Sequence, residues 1–521
     1  MKTERNIFRN LEEFAGKFVG VLSGLMFLLL TGVSLFTTRC FPSDYANEIP
    51  YEQMDFFPIT LVFALLLGAV VLFLGKQIVK LPEKGERNLK ILLVLVMLWV
   101  FILGYLWIRL SLSSPISEQG MVFSSAQRFV QGNYGRLEYG KYLYYYPLQL
   151  GLVAYESVVL SVFGLDNYTA IQILNVVGIA LSVFFGYRIT RYLSEKKEIA
   201  AYYLLLAGSC MVYIIYGVYV YGDALAIVCS LFAIWQFLRY LKKKSRSAAI
   251  LMILSMCAAV LIRSNSLIVF VAMLCVLAVK GISEKKWSYL FCAFFLTIGT
   301  LGIRPFLNQY YEAKTDIEVN EGMPSVLWVA MGVQEGDKEA GWFNGYSMYI
   351  YQDVCQYHGP TASELGKAEI RARAKEFLKN PGYALDFYWR KFSSQWSEPT
   401  YGCFIMTYAA EEEREAIGES LYTGTLNRIL QGFMNAYQLL IYASVLLLLI
   451  RRRKTKEPLE WYILLIAVIG GVLFHLLWEA KSRYVLPYFV FMLPMAAAGL
   501  YEIKEMLQHG RTKDETAETG R

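Results

Sequence analysis

Long apolar runs separated by short basic loops divide this chain, and that pattern limits its fold more than any other feature. About 20 consecutive apolar residues are needed for a helix to cross a bilayer, and a helix satisfies its own backbone polar groups in lipid. Such stretches, two of them short, lie at about 15–36, 58–80, 91–110, 167–190, 199–217, 220–240, 248–262, 265–280, 287–308, 429–450, 459–478 and 484–503. With 56% hydrophobic and 18% charged residues, the 521-residue chain reads as an all-α polytopic membrane protein with about 12 transmembrane helices. The net charge of +7 does not indicate nucleic acid, because the basic residues gather in loops between apolar runs. Five of the eight cysteines lie in apolar runs as small hydrophobes, and a disulfide among Cys40, Cys355 and Cys403 has no spacing to support it. The histidines are too scattered to suggest a metal site. The first run has a basic leader without a small-x-small cleavage site, so a retained span is expected.

Basic clusters near 76–90, 188–198, 241–246, 280–286 and 451–456 belong on the cytoplasmic side under the positive-inside rule. Twelve crossings, with both termini cytoplasmic, satisfy every cluster. A further apolar segment at 146–163 is then expected to lie along the outer interface, or to dip in and return. The expected organisation is two N-terminal helices over 1–90, a core over 91–308 with a first outer loop at 111–166, an extracytoplasmic helical subdomain over 309–428, further helices over 429–505 and a disordered cytoplasmic tail at 506–521.

Opposite the basic loops stand Glu118, Asp223, Arg263, Arg304, Glu479, Lys481 and Arg483. Charge costs less at a bilayer edge than at its midplane, yet so many groups at one end need a reason. Glu118 lies in SPISEQG, where Pro and Gly stop the preceding helix. The following MVFSSAQRFVQGNYG predicts a short amphipathic helix on the membrane. A carboxylate held there can take a proton from an acceptor nucleophile, although a solvated acid is the commoner role of a loop Glu. In KYLYYYPLQLG, tyrosines fit an interfacial belt, and Tyr146 with Gln149 can also face a sugar. Asp223, in YVYGDALAIVCSLF, either caps its helix or serves as a second acid facing Glu118.

HLLWEAKSRYVLPYFVFMLP, at 475–494, is the most specific pattern. Here Glu479, Lys481 and Arg483 crowd one turn. Two cations and an acid at headgroup level suit a lipid phosphate, with Arg483 bidentate and Tyr484 beside it. Snorkelling is the usual account of Lys and Arg at helix ends, but positive charge is disfavoured on this side. Arg263 and Arg304 share the anomaly, so four cations from separate regions point to one anion. Trp342, Trp389 and Trp396 in the large loop could stack on a glycan; packing a small domain is the commoner use.

Together these residues resemble the GT-C class of integral membrane glycosyltransferases, in particular bacterial relatives of protein O-mannosyltransferases and the lipid A aminoarabinose transferase. The likeness rests on Glu118 in SPISEQG, Asp223 in YGDAL, the YYYPLQLG stretch and Arg483-Tyr484-Val485-Leu486-Pro487, and it runs in order over about 91–500. Two features depart from the class. The loop acid is Glu where its members usually have Asp, and two spans precede the class's first helix. The resemblance implies a one-step inverting transfer of a hexose or pentose from a polyprenyl-phosphate carrier to an acceptor at the cell surface, whether protein, lipid or glycan. Glu118 would be the base, with Asp223 the second acid. Arg483, helped by Tyr484, Lys481, Arg263 or Arg304, would stabilise the phosphate, with Glu479, Tyr146 and Gln149 in support. Cations in that role make no cofactor necessary; some relatives in the wider class use a divalent metal ion, and these residues leave that open. The alternative function is a lipid-linked sugar flippase or transporter with an outer headgroup site. Transporters place ionisable groups near mid-depth, whereas these spans are clean there.

Overall fold

The computed structural model describes residues 2–42, 45, 48–80, 84–409 and 412–518, with side chains left out for 2–10 and 509–518. Among the described residues, ten helices are long and apolar enough to cross a membrane, as the hydropathy demands. Two further expected crossings take a different form. Residues 197–218 form a pair, Lys197–Ser209 and Met211–Val218, bent by 49°, and Arg246–Ile262 is a short apolar helix. The ambiguous segment forms another short apolar helix, Pro147–Phe163, which packs on Ser117–Val130 and Arg246–Ile262.

Close backbone approach holds the bundle together. The long helices Thr425–Arg452 and Leu486–Glu518 pack together, and a Cβ on Gly499 would fall 1.9 Å from the Ser444 carbonyl oxygen. Only glycine permits that crossing, and small residues of this kind drive helix association where lipid offers no hydrophobic gradient. The last helix continues to Glu518, so the backbone over 506–518 is helical where composition suggested a disordered tail.

Past the bend, tight and irregular backbone runs through the buried Tyr216–Gly222 stretch that leads into the Asp223–Lys243 helix. Its freed carbonyls find donors on the neighbouring Tyr168–Leu193 helix. Asn175 Nδ2 donates to the Gly217 and Tyr219 oxygens, each at 3.3 Å, and Gln172 Nε2 to the Val218 and Ser113 oxygens, each at 3.2 Å. Buried polar side chains therefore replace the missing helical ladder.

Between the spans, residues 309–428 are mostly helical, including Val326–Gly332, Gly359–Lys379 and Pro381–Trp396. Trp342 and Trp396 are buried in the packing, at 2% and 1% exposure. Thr37–Cys40 and Tyr51–Met54 form an antiparallel hairpin between the first two long helices. Arg39 docks it through Glu52 at 2.6 Å across the strands and Glu339 at 2.5 Å in the large loop. All eight cysteines are free.

Candidate active site

At the helix ends opposite the basic loops lies a cavity of about 540 Å³. Its wall gathers Glu118, Tyr146, Gln149, Arg263, Glu479, Lys481, Arg483 and Tyr484 from four separate parts of the chain. Glu118 sits in the first turn of the Ser117–Val130 helix, exposed to the cavity. Ser117, just before it, has φ +49°, a left-handed backbone that non-glycine residues seldom adopt. That strain is held in place by the next side chain. Gln119, 2% exposed, accepts from Tyr168 Oη at 2.9 Å and the Val220 amide at 3.0 Å, and donates to the Met406 oxygen at 3.2 Å. One amide thus ties the Glu118 turn to three other segments.

Arg483 is 2% exposed, and its guanidinium lies 5.1 Å from the Tyr219 ring, 5.1 Å from Tyr221 and 5.2 Å from Tyr484. Ring faces stabilise a cation without neutralising it. Among the described residues no carboxylate lies within ion-pair distance of Arg483; its Nη1 reaches only the Met406 Sδ at 3.7 Å. A buried cation without a counter-ion is costly unless a ligand supplies the charge. Tyr221 is shared with Arg263, whose guanidinium lies 4.7 Å from its ring, and Gln149 Nε2 donates to the Tyr221 hydroxyl at 2.8 Å.

Arg263 is answered by Asp223, Nε to Oδ1 at 3.2 Å. Burial works against the Arg263 charge, but Asp223 more than restores it and its pKa is raised. Lys481 binds Glu48 Oε1 at 2.5 Å, and Lys338 binds Glu48 Oε2 at 2.8 Å. Despite burial, the two ammonium groups pull Glu48 down to about 2, and Glu48 in turn raises Lys481. Burial pushes Glu479 up to about 7, with the Lys481 charge opposing and the Glu118 carboxylate reinforcing that shift. The Tyr484 hydroxyl donates to Glu479 Oε1 at 3.3 Å.

Two expected site residues do not line this cavity. Asp223, 4% exposed, lies behind Arg263 on a second, water-sized pocket of about 20 Å³, and its carboxylate is engaged as counter-ion. The expected second acid therefore does not line the cavity that Glu118 faces. Arg304 points elsewhere because its helix runs on to Thr315, leaving Arg304 inside the helix and not at its end. There its Nη2 donates to the Val260 oxygen at 3.4 Å, near the C-terminus of Arg246–Ile262, where the helix dipole favours a cation.

Sequence reasoning did not single out Gln119, Glu48, Lys338, Tyr219 or Tyr221. The alternating tyrosines just before Asp223 were a usable signal, and so was the amide beside Glu118. Glu48 and Lys338 carried none, since each is one charged residue in a polar loop. Aromatic cavity walls come from Trp328 and Trp478, whose stacked rings are 5.7 Å apart; Tyr146 lies 6.3 Å from Trp328 and Phe474 is 5.0 Å from Trp478.

No curated protein matches the chain. Residues 154–302, which include Tyr219, Tyr221, Asp223 and Arg263, match the family model of dolichyl-phosphate-mannose-protein mannosyltransferases, and this supports a membrane glycosyltransferase of the GT-C class.

Proposed function

We propose that the chain moves a sugar from a polyprenyl-phosphate donor to an acceptor hydroxyl at the outer face of the membrane, with inversion at the anomeric carbon. The observation that carries the reading is the unanswered Arg483 guanidinium, caged by tyrosines in the wall of the cavity that Glu118 also faces. The donor phosphate would sit against Arg483, flanked by Arg263 and Lys481. Negative charge on that phosphate grows as the glycosidic bond breaks, and fixed cations stabilise it most in the transition state. Glu118 would take the acceptor proton from the opposite side of the sugar, as inversion requires. The loops support the outer-face assignment, because the basic clusters lie at the far ends of the helices that frame the cavity. The matched family's description names a mannosyl phosphate donor, which makes that lipid the first to test.

The test is transfer of labelled sugar from polyprenyl-phosphate mannose by the purified, reconstituted protein. Glu118→Gln should lower turnover by about 10²–10⁴-fold, the range of general-base catalysis, while Glu118→Asp keeps part of it. A folded Glu118→Gln protein that transfers at the normal rate would remove the base. Vesicles that move the lipid across the bilayer without consuming it would favour the flippase.

A further inference from the structure

The two spans that precede the resemblance have a hairpin and loop between them, and that loop delivers Glu48 to the cavity wall. Glu48 is the shared counter-ion of Lys481 and Lys338, each on its own carboxylate oxygen, at 2.5 and 2.8 Å. The hairpin is fixed for this purpose. Arg39 bridges Glu52, Glu339 and Ser393, and its amide donates to the Ser397 oxygen at 3.0 Å.

Resting on the transferase reading above, we infer that Glu48 is a specificity-determining residue, setting the positive charge of the phosphate site so that it fits one phosphate and not two. The charges in the wall make the argument. Asp223 answers Arg263, Glu48 cancels one of two lysines, and Arg483 has no acidic partner among the described residues. These pairs leave two positive charges, and both stay available to the leaving phosphate once Glu118 has been neutralised by the acceptor proton and while Glu479, raised to about 7 by burial, is protonated. A phosphodiester donor carries one negative charge when bound and leaves as a phosphate with two, so the surplus matches the leaving group. A diphosphate-linked donor brings one more negative charge at each stage, and the cations left for it already share Asp223 or Glu48. Glu118 and Glu479 also face the cavity, but they contribute equally before and after a change at Glu48. Glu48→Gln therefore adds one positive charge at the lysine pair whatever their state.

The experiment measures binding of polyprenyl phosphate and polyprenyl diphosphate to the purified full-length protein, which keeps the readout independent of the sugar. Wild type should prefer the monophosphate. Glu48→Gln should move the ratio of the two dissociation constants about tenfold toward the diphosphate, the size expected for one charge-assisted contact. Lys338→Gln, at the half-buried side of the same pair, should move the ratio the other way and covers the case in which Glu48→Gln does not fold. Ratios unchanged in folded variants overturn the role of Glu48 and leave the transferase reading standing. A wild-type protein that binds neither lipid overturns both.

Discussion

At the scale of single residues, the chemistry depends on which charges are answered. Asp223 and Arg263 neutralise each other, whereas Arg483 is held by three tyrosines that leave its charge available. Glu479 adds a pH dependence. Burial raises it from 4.5 to about 7, so the folded protein retains a proton there that the unfolded chain has lost. Its contribution to stability is full below pH 4.5 and disappears as pH rises to about 7. In the proposed reaction, ionised Glu479 repels the donor phosphate. The donor KM should be flat below pH 6 and rise through pH 7, and Glu479→Gln should flatten that rise. A steady-state series across pH, with kcat and KM separated, decides this.

Among elements, the turn at 478–481 shows how the large loop builds the site. The Ala480 amide donates to the Gly341 oxygen at 2.7 Å, and Lys391 donates to the Trp478 oxygen at 2.7 Å and to the Gly332 oxygen. Gly341, at φ +70°, lies so close that a Cβ there would come 2.5 Å from the Gly332 oxygen. Lys391 is fully buried, and burial lowers it to about 7, with Glu479 opposing the shift. Replacing Lys391 with Met leaves two buried carbonyls without their donor. The expected loss is about 1–3 kcal/mol of stability, read from denaturant unfolding in detergent. Turnover should fall with it, because the same turn carries Glu479 and Lys481. The stretch after the bent 197–218 pair works in the same way: Asn175 and Gln172 hold the backbone at 217–219, and the chain there presents Tyr219 and Tyr221 to the arginines.

For the molecule as a whole, the proposal requires the cavity to open on one side of the membrane and the basic loops on the other. A cysteine placed at Phe343, on the cavity wall, should react with an impermeant thiol reagent in intact cells. One placed at Lys244, in the basic loop, should react only after the membrane is opened. Reversed labelling would put the cavity on the cytoplasmic side and remove the outer-face assignment.

Hydropathy made the spans legible, since a run of apolar residues fixes where a helix lies in lipid almost regardless of its neighbours. Cations at helix ends, out of place by the positive-inside rule, singled out Lys481, Arg483 and Arg263, and Glu118 stood out as an acid in the first outer loop; all four line the cavity. Pairing was not legible. A sequence does not say that Asp223 is spent on Arg263, that Arg304 caps a neighbouring helix, or that Glu48 bridges lysines about 290 and 430 residues away. Ion pairs act over a few ångströms of space and ignore distance along the chain, so only the packed bundle decided which charges stayed available for a substrate.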